Sequence, residues 1–398
     1  ETAEKRLSLY YTSKLDANNK HGVRQNWTLT PTPIIMFFYI SISLISTILV
    51  YLAQRTSPKI LSKFFLICSI LIPSVIGGCR DTSIGTDLQG YGILFFDEIR
   101  QYNSITKLFS EWNYSSEYGY VLLNYISSKI SKDIHAFLFL SELIKMSLVV
   151  WTAWNYRKLI SSHIVVFTYM IFMYWYGLSL LRQSLAMCIC LSAMIYFSNR
   201  KYAHFLLIVT VAYLFHNSAI FFCILPILDF IYKKIKQPQF FMLTLIAVIY
   251  FCSSSIFYII ASSGLFRIGI LELYENSGVT LSKSNLLLSF FIFLSTLSIR
   301  GKRLKCNKYY KFLVLTNAAL SILFLLLSQF FEIAFRISFY QMMFLIIYYP
   351  FLLKNMSNIP LKISYMTIYI SIYLLHYYVN VDHGLADTIP YTSRILNL

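Results

Sequence analysis

The chain has 398 residues, of which 57% are hydrophobic, 18% aromatic and only 13% charged, with a mean hydropathy of +0.61. A soluble globular chain carries about 25% charged residues, so these proportions exclude an ordinary water-facing domain of this length and point to a polytopic α-helical membrane protein. The net charge of +17 does not imply nucleic acid, because the Lys and Arg residues stand singly or in short clusters between apolar runs.

Residues 1–33 read as a polar tail. The first apolar run, 34–53, carries no charge and is too long for a signal-peptide core. About 20 apolar residues wound as a helix match the hydrocarbon thickness of a bilayer. Irregular backbone cannot face lipid, because each unpaired amide there costs several kcal/mol. Runs of this kind are therefore expected to be spanning helices. They recur at 64–79, 135–154, 164–180, 183–198, 203–215, 218–232, 240–262, 286–299, 312–331, 336–353 and 361–380, which makes about twelve crossings. The seven cysteines are scattered without zinc-ligand spacing and read as buried free thiols.

Orientation follows from the short connections. Arg55/Lys59/Lys63, Arg157/Lys158, Arg200/Lys201, Lys233/Lys234/Lys236, the 300–311 basic cluster and Lys354/Lys362 fall on one side, read as cytoplasmic. The acids Asp81, Asp87, Asp97, Glu98, Glu111, Glu117, Asp133, Glu332 and Asp387 fall on the other. The stretch 118–130 is too short to span and would invert every later loop, so it reads as a re-entrant or surface-lying helix. The run 203–232 must be a hairpin of two short helices with its turn at His216-Asn217. The basic N-terminal tail resists the outside placement that this pattern gives it. The expected organisation is a polar tail at 1–33, a transmembrane catalytic domain at 34–380 with a long outer loop at 80–134 carrying short helices, and an outer C-terminal tail at 381–398.

Four arginines sit on the outer side against the sorting rule: Arg80, Arg182, Arg336 and, in a loop, Arg267. Charges at span ends tend to mark substrate paths, and the guanidinium fork is shaped to grip phosphate oxygens. The bland alternative for each is snorkelling to lipid headgroups. Around Arg80, two glycines are followed by Asp81, Gly85-Thr86-Asp87 and Tyr91, a set that a plain turn could also produce. His216 is a candidate base, since histidine changes charge nearest neutral pH, or else a structural residue. Glu332 and Arg336 are spaced for a helical ion pair, and Glu117 for a cap at a helix start. Glu142 and Lys145 lie well within a predicted span.

These strings resemble the EpsG/Wzy-type polysaccharide polymerase family. The likeness rests on Arg80-Asp81 with Gly85-Thr86-Asp87 and Tyr91, on Glu117-Tyr118-Gly119-Tyr120, and on Leu181-Arg182-Gln183-Ser184. It continues with Phe215-His216-Asn217-Ser218 and with Arg336, Tyr340 and Pro350. It departs in having Cys79 where the family has an aromatic residue, and in its polar N-terminal tail. The resemblance implies a GT-C-like glycosyltransferase of the bacterial inner membrane with its active site facing the periplasm. Its partners would be undecaprenyl-diphosphate-linked oligosaccharide as donor and acceptor, membrane lipid and a chain-length regulator. Neither a metal nor a cofactor is expected.

On this reading His216, Asp81 or Asp87 takes the acceptor proton and Arg80, Arg182, Arg336 and Arg267 hold the diphosphate. Tyr91, Glu117, Gln183, Glu332 and Tyr340 support substrate or structure. The rivals are an O-antigen ligase-type transferase and a flippase for lipid-linked oligosaccharide, the second of which should line a central cavity with charges from many helices.

Overall fold

The computed structural model describes residues 33–114, 116–253, 255, 281–299, 308–330, 332–382 and 387–398. Among them the structure is predominantly helical. In order, the helices are α1 (Pro33–Arg55), α2 (Lys59–Gly78), α3 (Ile93–Ile99), α4 (Ile105–Glu111), α5 (Tyr118–Ile130), α6 (His135–Asn155), α7 (Ser162–Tyr169) and α8 (Trp175–Gly177). There follow α9 (Leu181–Ser198), α10 (Tyr202–Tyr213), α11 (Ile224–Lys234), α12 (Pro238–Phe251), α13 (Lys283–Ser298), α14 (Lys308–Leu327), α15 (Glu332–Lys354) and α16 (Ile359–Asp382). A π-helical stretch, Leu88–Gly92, leads into α3, another, Met170–Tyr174, joins α7 to α8, and a 3-10 stretch, Asn217–Cys223, leads into α11.

Most of each run read from the sequence as a span falls on helix where it is described, but 164–180 is divided by a π-helical stretch and ends in a break at 178–180, and 256–262 and residue 331 lie outside the described residues. Six of these helices are long and apolar enough to cross a membrane: those at 37–55, 59–78, 135–155, 181–198, 308–327 and 333–354. The chain is thus a multi-pass membrane protein. Burial separates its centre from its rim. The windows of α9 and α15 are 78% and 89% buried, against 33% and 22% for α1 and α2, whose outward Ile60, Phe64 and Ile67 need an apolar solvent.

Local chemistry explains how a proline survives inside α2. Pro73 has no N–H to bond the Ser69 carbonyl one turn back, and an orphan carbonyl is costly in lipid. The Ser46 hydroxyl of α1 donates to that carbonyl at 2.6 Å. The carbonyl of Pro73 itself accepts from Tyr174 at 2.6 Å. The helix is thereby tied to two neighbours.

Residues 80–134 form a helical cap with its own small core of Ile99, Leu108, Trp112 and Val121. A second cluster, which includes Tyr91, Tyr120, Phe137, Leu181 and Leu185, seals the cap against α6 and α9. α5 occupies Tyr118–Ile130, the stretch expected to lie short of a full span. The C-terminal segment folds back over the same end. Gly85 donates its N–H to the Asp387 carbonyl at 2.9 Å, Tyr391 its hydroxyl to Ile76 at 2.7 Å and Ser393 its hydroxyl to Cys79 at 2.5 Å. Gly85 needs to be glycine. Its φ is +101°, and a Cβ would stand 2.8 Å from the Leu178 carbonyl.

At the opposite end, Lys59, Lys63 and Arg157 line one cavity of about 540 Å³. Two of the basic connections assigned to one side thus meet there.

Candidate active site

The site is assembled where the cap, the broken helix before α9 and the α10 hairpin turn meet. α9 begins at Leu181 after the chain breaks over Leu178–Leu180, and its first N–H is shared between the Ser179 carbonyl, at 3.1 Å, and a cap from the loop after α2. Asp87 supplies the cap: its Oδ2 accepts the Leu181 N–H at 3.2 Å and the Tyr91 hydroxyl at 2.6 Å. Tyr91 lies in the π-helical stretch and is buried. Burial, opposed by Arg182, holds its phenol well above its ordinary pKa, so it keeps its proton and donates it to Asp87.

The next residue along α9 extends the chain of contacts. Arg182 donates from Nε to the Tyr91 hydroxyl at 2.9 Å and from Nη1 to Glu117 Oε2 at 2.5 Å. Its guanidinium carbon also stands 4.3 Å from the centre of the Tyr91 ring, within cation–π range. These contacts commit two of the five guanidinium N–H donors, and a fifth of the side chain stays exposed, at 20%. The remaining N–H groups can therefore meet an anion.

Glu117 is the junction. Its Oε1 lies 2.6 Å from His216 Nδ1 and 3.3 Å from the Asn217 amide nitrogen. Burial would push the Glu117 carboxyl up, but the His216 hydrogen bond, Arg182 and the Asn217 amide outweigh it and hold the group below the ordinary glutamate value. An ionised Glu117 can only accept, so His216 carries a proton on Nδ1 and Nε2 is the nitrogen left to exchange one. The turn that presents His216 is pinned twice. Gly119 donates its N–H to the Leu214 carbonyl at 2.8 Å, an approach that a side chain would crowd, since a Cβ would stand 3.0 Å from that oxygen. Ser218 donates to the hydroxyl of the buried Tyr340 at 3.1 Å.

Of the residues singled out from sequence, Asp87, Tyr91, Glu117, Arg182 and His216 thus form one continuous network, with Tyr340 behind it. Gln183 donates from Nε2 to the Arg336 carbonyl at 2.7 Å, linking α9 to α15. The Arg336 side chain lines a neighbouring cavity.

Two candidates are placed otherwise than expected. Arg80 is fully buried: its guanidinium donates to the carbonyls of Gly77 and, at 3.0 Å, Leu178, and lies 3.7 Å from Glu142. It is consumed by the protein interior rather than offered to a diphosphate. Asp81 accepts the Arg394 amide at 3.0 Å, and that amide chiefly holds its carboxyl below the ordinary range. It fastens the C-terminal segment and stands in the loop after α2, with no part in the Glu117 network. Arg267 and the side chain of Glu332 lie outside the described residues, as does any Glu332–Arg336 pair.

The in-span charges are accounted for by the same interior cluster. Lys145 stands 2.6 Å from Glu142 and donates to the Gly177 carbonyl at 3.0 Å and to the Ser184 hydroxyl at 3.2 Å. It straddles the break before α9 and so helps set where Arg182 begins. Sequence reasoning missed this role. The signal was the coincidence of Glu142 and Lys145 at helical spacing inside an apolar run.

The EpsG family model matches residues 63–393. The chain belongs to the EpsG family. No curated protein and no solved structure matches it. EpsG proteins are Wzy-type polymerases, so membership assigns this chain a polysaccharide polymerase-type role. The matched region takes in every residue of the Asp87–Tyr91–Arg182–Glu117–His216 network.

Proposed function

We propose that the protein polymerises oligosaccharide repeat units carried on undecaprenyl diphosphate, at the outer face of the bacterial inner membrane. The acceptor hydroxyl oxygen attacks the anomeric carbon of the growing chain. The bond from that carbon to the diphosphate oxygen breaks, its electron pair leaves with the lipid diphosphate, and the hydroxyl proton passes to His216 Nε2. Glu117 orients the imidazole and stabilises the imidazolium that forms, a division of labour known from other base–carboxylate pairs. Arg182, through its uncommitted N–H groups, and Arg336 neutralise the charge that develops on the leaving oxygen. One contact of this kind is worth about 10²–10³ in rate.

The observation that carries the reading is the network itself. A base oriented by an ionised carboxylate, and a guanidinium with free donors on the same carboxylate, are what glycosyl transfer from a diphosphate requires. About twelve crossings in a GT-C-like arrangement would place this network at the periplasmic surface. A glycan ladder from a deletion strain tests the function. It collapses to single repeat units, and Arg182→Ala fails to restore it at normal protein level. A ladder restored by Arg182→Ala would refute the assignment. Loss of all attached glycan in the deletion strain would indicate a ligase, and lipid-linked units stranded on the cytoplasmic face a flippase.

A further inference from the structure

At the end of the bundle away from the cap, the α1–α2 turn and the α6–α7 turn enclose the cavity of about 540 Å³. Lys59 and Lys63 stand four apart on α2 and both line it, and Arg157 lines it from the facing turn. Among the described residues no carboxylate lines the cavity, and none of these three cations forms an ion pair. Like charges at this helical spacing destabilise one another, and a third charge from the facing turn adds to the repulsion. Retention of basic residues on one side of a membrane asks only that they lie in the connections. It does not ask that three converge on one cavity, and the neighbouring, exposed Lys158 stays out of it.

The walls of the cavity are fixed by hydrogen bonds. The Ala53 carbonyl, among the last of α1, accepts from the Ser62 hydroxyl at 2.8 Å and the Ser162 hydroxyl at 2.7 Å. That one oxygen pins α1, α2 and α7 together. Arg157 donates from Nη1 to the Trp154 carbonyl at 2.8 Å, and its guanidinium carbon stands 4.7 Å from the centre of the Trp154 ring. The guanidinium is held in place with the rest of its N–H donors open to another acceptor. α2 starts at the rim without a side-chain cap, so the positive end of its dipole adds to the field. Just outside the rim, Ile60 is 86% exposed and Phe64 57%.

We propose that this cavity binds the headgroup of an anionic glycerophospholipid from the leaflet away from the cap. Lys59, Lys63 and the open donors of Arg157 meet the phosphodiester oxygens, and the acyl chains lie along Ile60 and Phe64. That apolar row selects a lipid over a free phosphate, which would leave it uncovered. Basic pockets between spanning helices on the cytoplasmic side seat such headgroups, and the charge sorting assigns this end to that side. The bound phosphate removes the repulsion between the two turns and ties the α1–α2 hairpin to α6. It acts where protein contacts are fewest, since α1 and α2 are the least buried of the six long apolar helices.

The test uses the purified full chain in detergent, with thermal unfolding followed as lipid is added and retained lipid identified by native mass spectrometry. Phosphatidylglycerol should raise the melting temperature and stay bound to the chain. Phosphatidylcholine and inorganic phosphate at the same concentration should do neither. Lys59→Gln combined with Lys63→Gln should weaken phosphatidylglycerol about 25-fold, about fivefold for each charge. Lys158→Gln should bind it as wild type does. Inorganic phosphate stabilising as strongly as phosphatidylglycerol would overturn the proposal in favour of a free-anion site. Phosphatidylcholine retained equally would reduce the cavity to unselective lipid coating, and an equal loss in Lys158→Gln to general surface charge. Both lysines are exposed; should the double variant nonetheless fail to fold, Arg157→Gln carries the same fivefold expectation, and unchanged binding there would overturn the proposal. No turnover is read, so the result stands apart from the polymerase reading, whose failure shows in the Arg182→Ala ladder.

Discussion

Glu117 Oε1 and His216 Nδ1 lie 2.6 Å apart although 99 residues separate them in the chain. The contact joins the start of a cap helix to the tip of a helical hairpin, and it decides which imidazole nitrogen is free to take a proton. His216→Gln should abolish long-chain polymer while leaving the protein in the membrane. General-base loss typically costs about 10²–10⁴ in rate. Glu117→Gln should cost less, because His216 survives with its tautomer unfixed. A ladder gel at matched protein level checks both. Full activity in His216→Gln would make that residue structural.

The depressed Glu117 carboxyl has a consequence for stability. A group whose folded pKa lies below its unfolded value, near 4.3 for glutamate, stabilises the fold above that value. The contribution is lost as pH falls through the folded pKa, which lies lower still. Wild-type protein should therefore melt above Glu117→Gln by a constant margin between pH 6 and 8, and the margin should close below about pH 4. Other carboxylates titrate in the same range, so the quantity to follow is the difference between the two melting curves. A margin that widened toward acid would mean that Glu117 is held neutral in the fold.

The interior cluster predicts a different phenotype. Arg80 and Lys145 both lean on Glu142, and all three are buried. Removing one partner of a buried ion set leaves uncompensated charge, at a typical cost of about 3–5 kcal/mol. Glu142→Ala should fail to accumulate or should melt far below wild type, whereas Glu142→Gln keeps hydrogen bonding and should be milder. Quantifying membrane-inserted protein and its unfolding in detergent separates this from a chemical defect. Normal stability with lost polymer would instead move Glu142 into the chemistry.

How much of this was legible in the sequence depended on the range of the interaction. Uncharged runs of span length and the sorted basic connections are local quantities, and the helices follow them closely, including the turn at His216-Asn217 and the short helix Tyr118–Ile130. The network members were legible as residue types standing on the wrong side of the charge rule or in short polar strings. Their pairing was not, because whether Arg182 meets Glu117 or Arg80 depends on how helices far apart in the chain pack. Arg80 shows the cost. Its position beside Asp81 and Gly85 suggested a surface, yet the carbonyls freed by the break at Leu178 and the carboxylate of Glu142 draw it inward. The docking of residues 387–398 over the Arg80 loop had no sequence signal, since the Tyr391 and Ser393 hydroxyls bond backbone carbonyls 315 and 314 residues away, and a carbonyl acceptor carries no residue preference.

The orientation of the bundle makes a last prediction, on which the place of the chemistry depends. Basic connections are retained on the cytoplasmic side during insertion, and Lys59, Lys63 and Arg157 share one cavity at the end away from the cap. Glu111, on the cap and 51% exposed, should then face out of the cell, and exposed Lys158 should face in. In a chain whose native cysteines are replaced, Glu111→Cys should react with a membrane-impermeant maleimide in intact spheroplasts. Lys158→Cys should react only once the membrane is opened. The reverse pattern would put His216 and Arg182 in the cytoplasm, where lipid-linked units are assembled rather than joined, and would undo the proposed reaction even if every variant above lost activity. Labelling of both positions in intact spheroplasts would mean an even number of crossings between them, and the span assignment from α5 to α6 would be the first to revise.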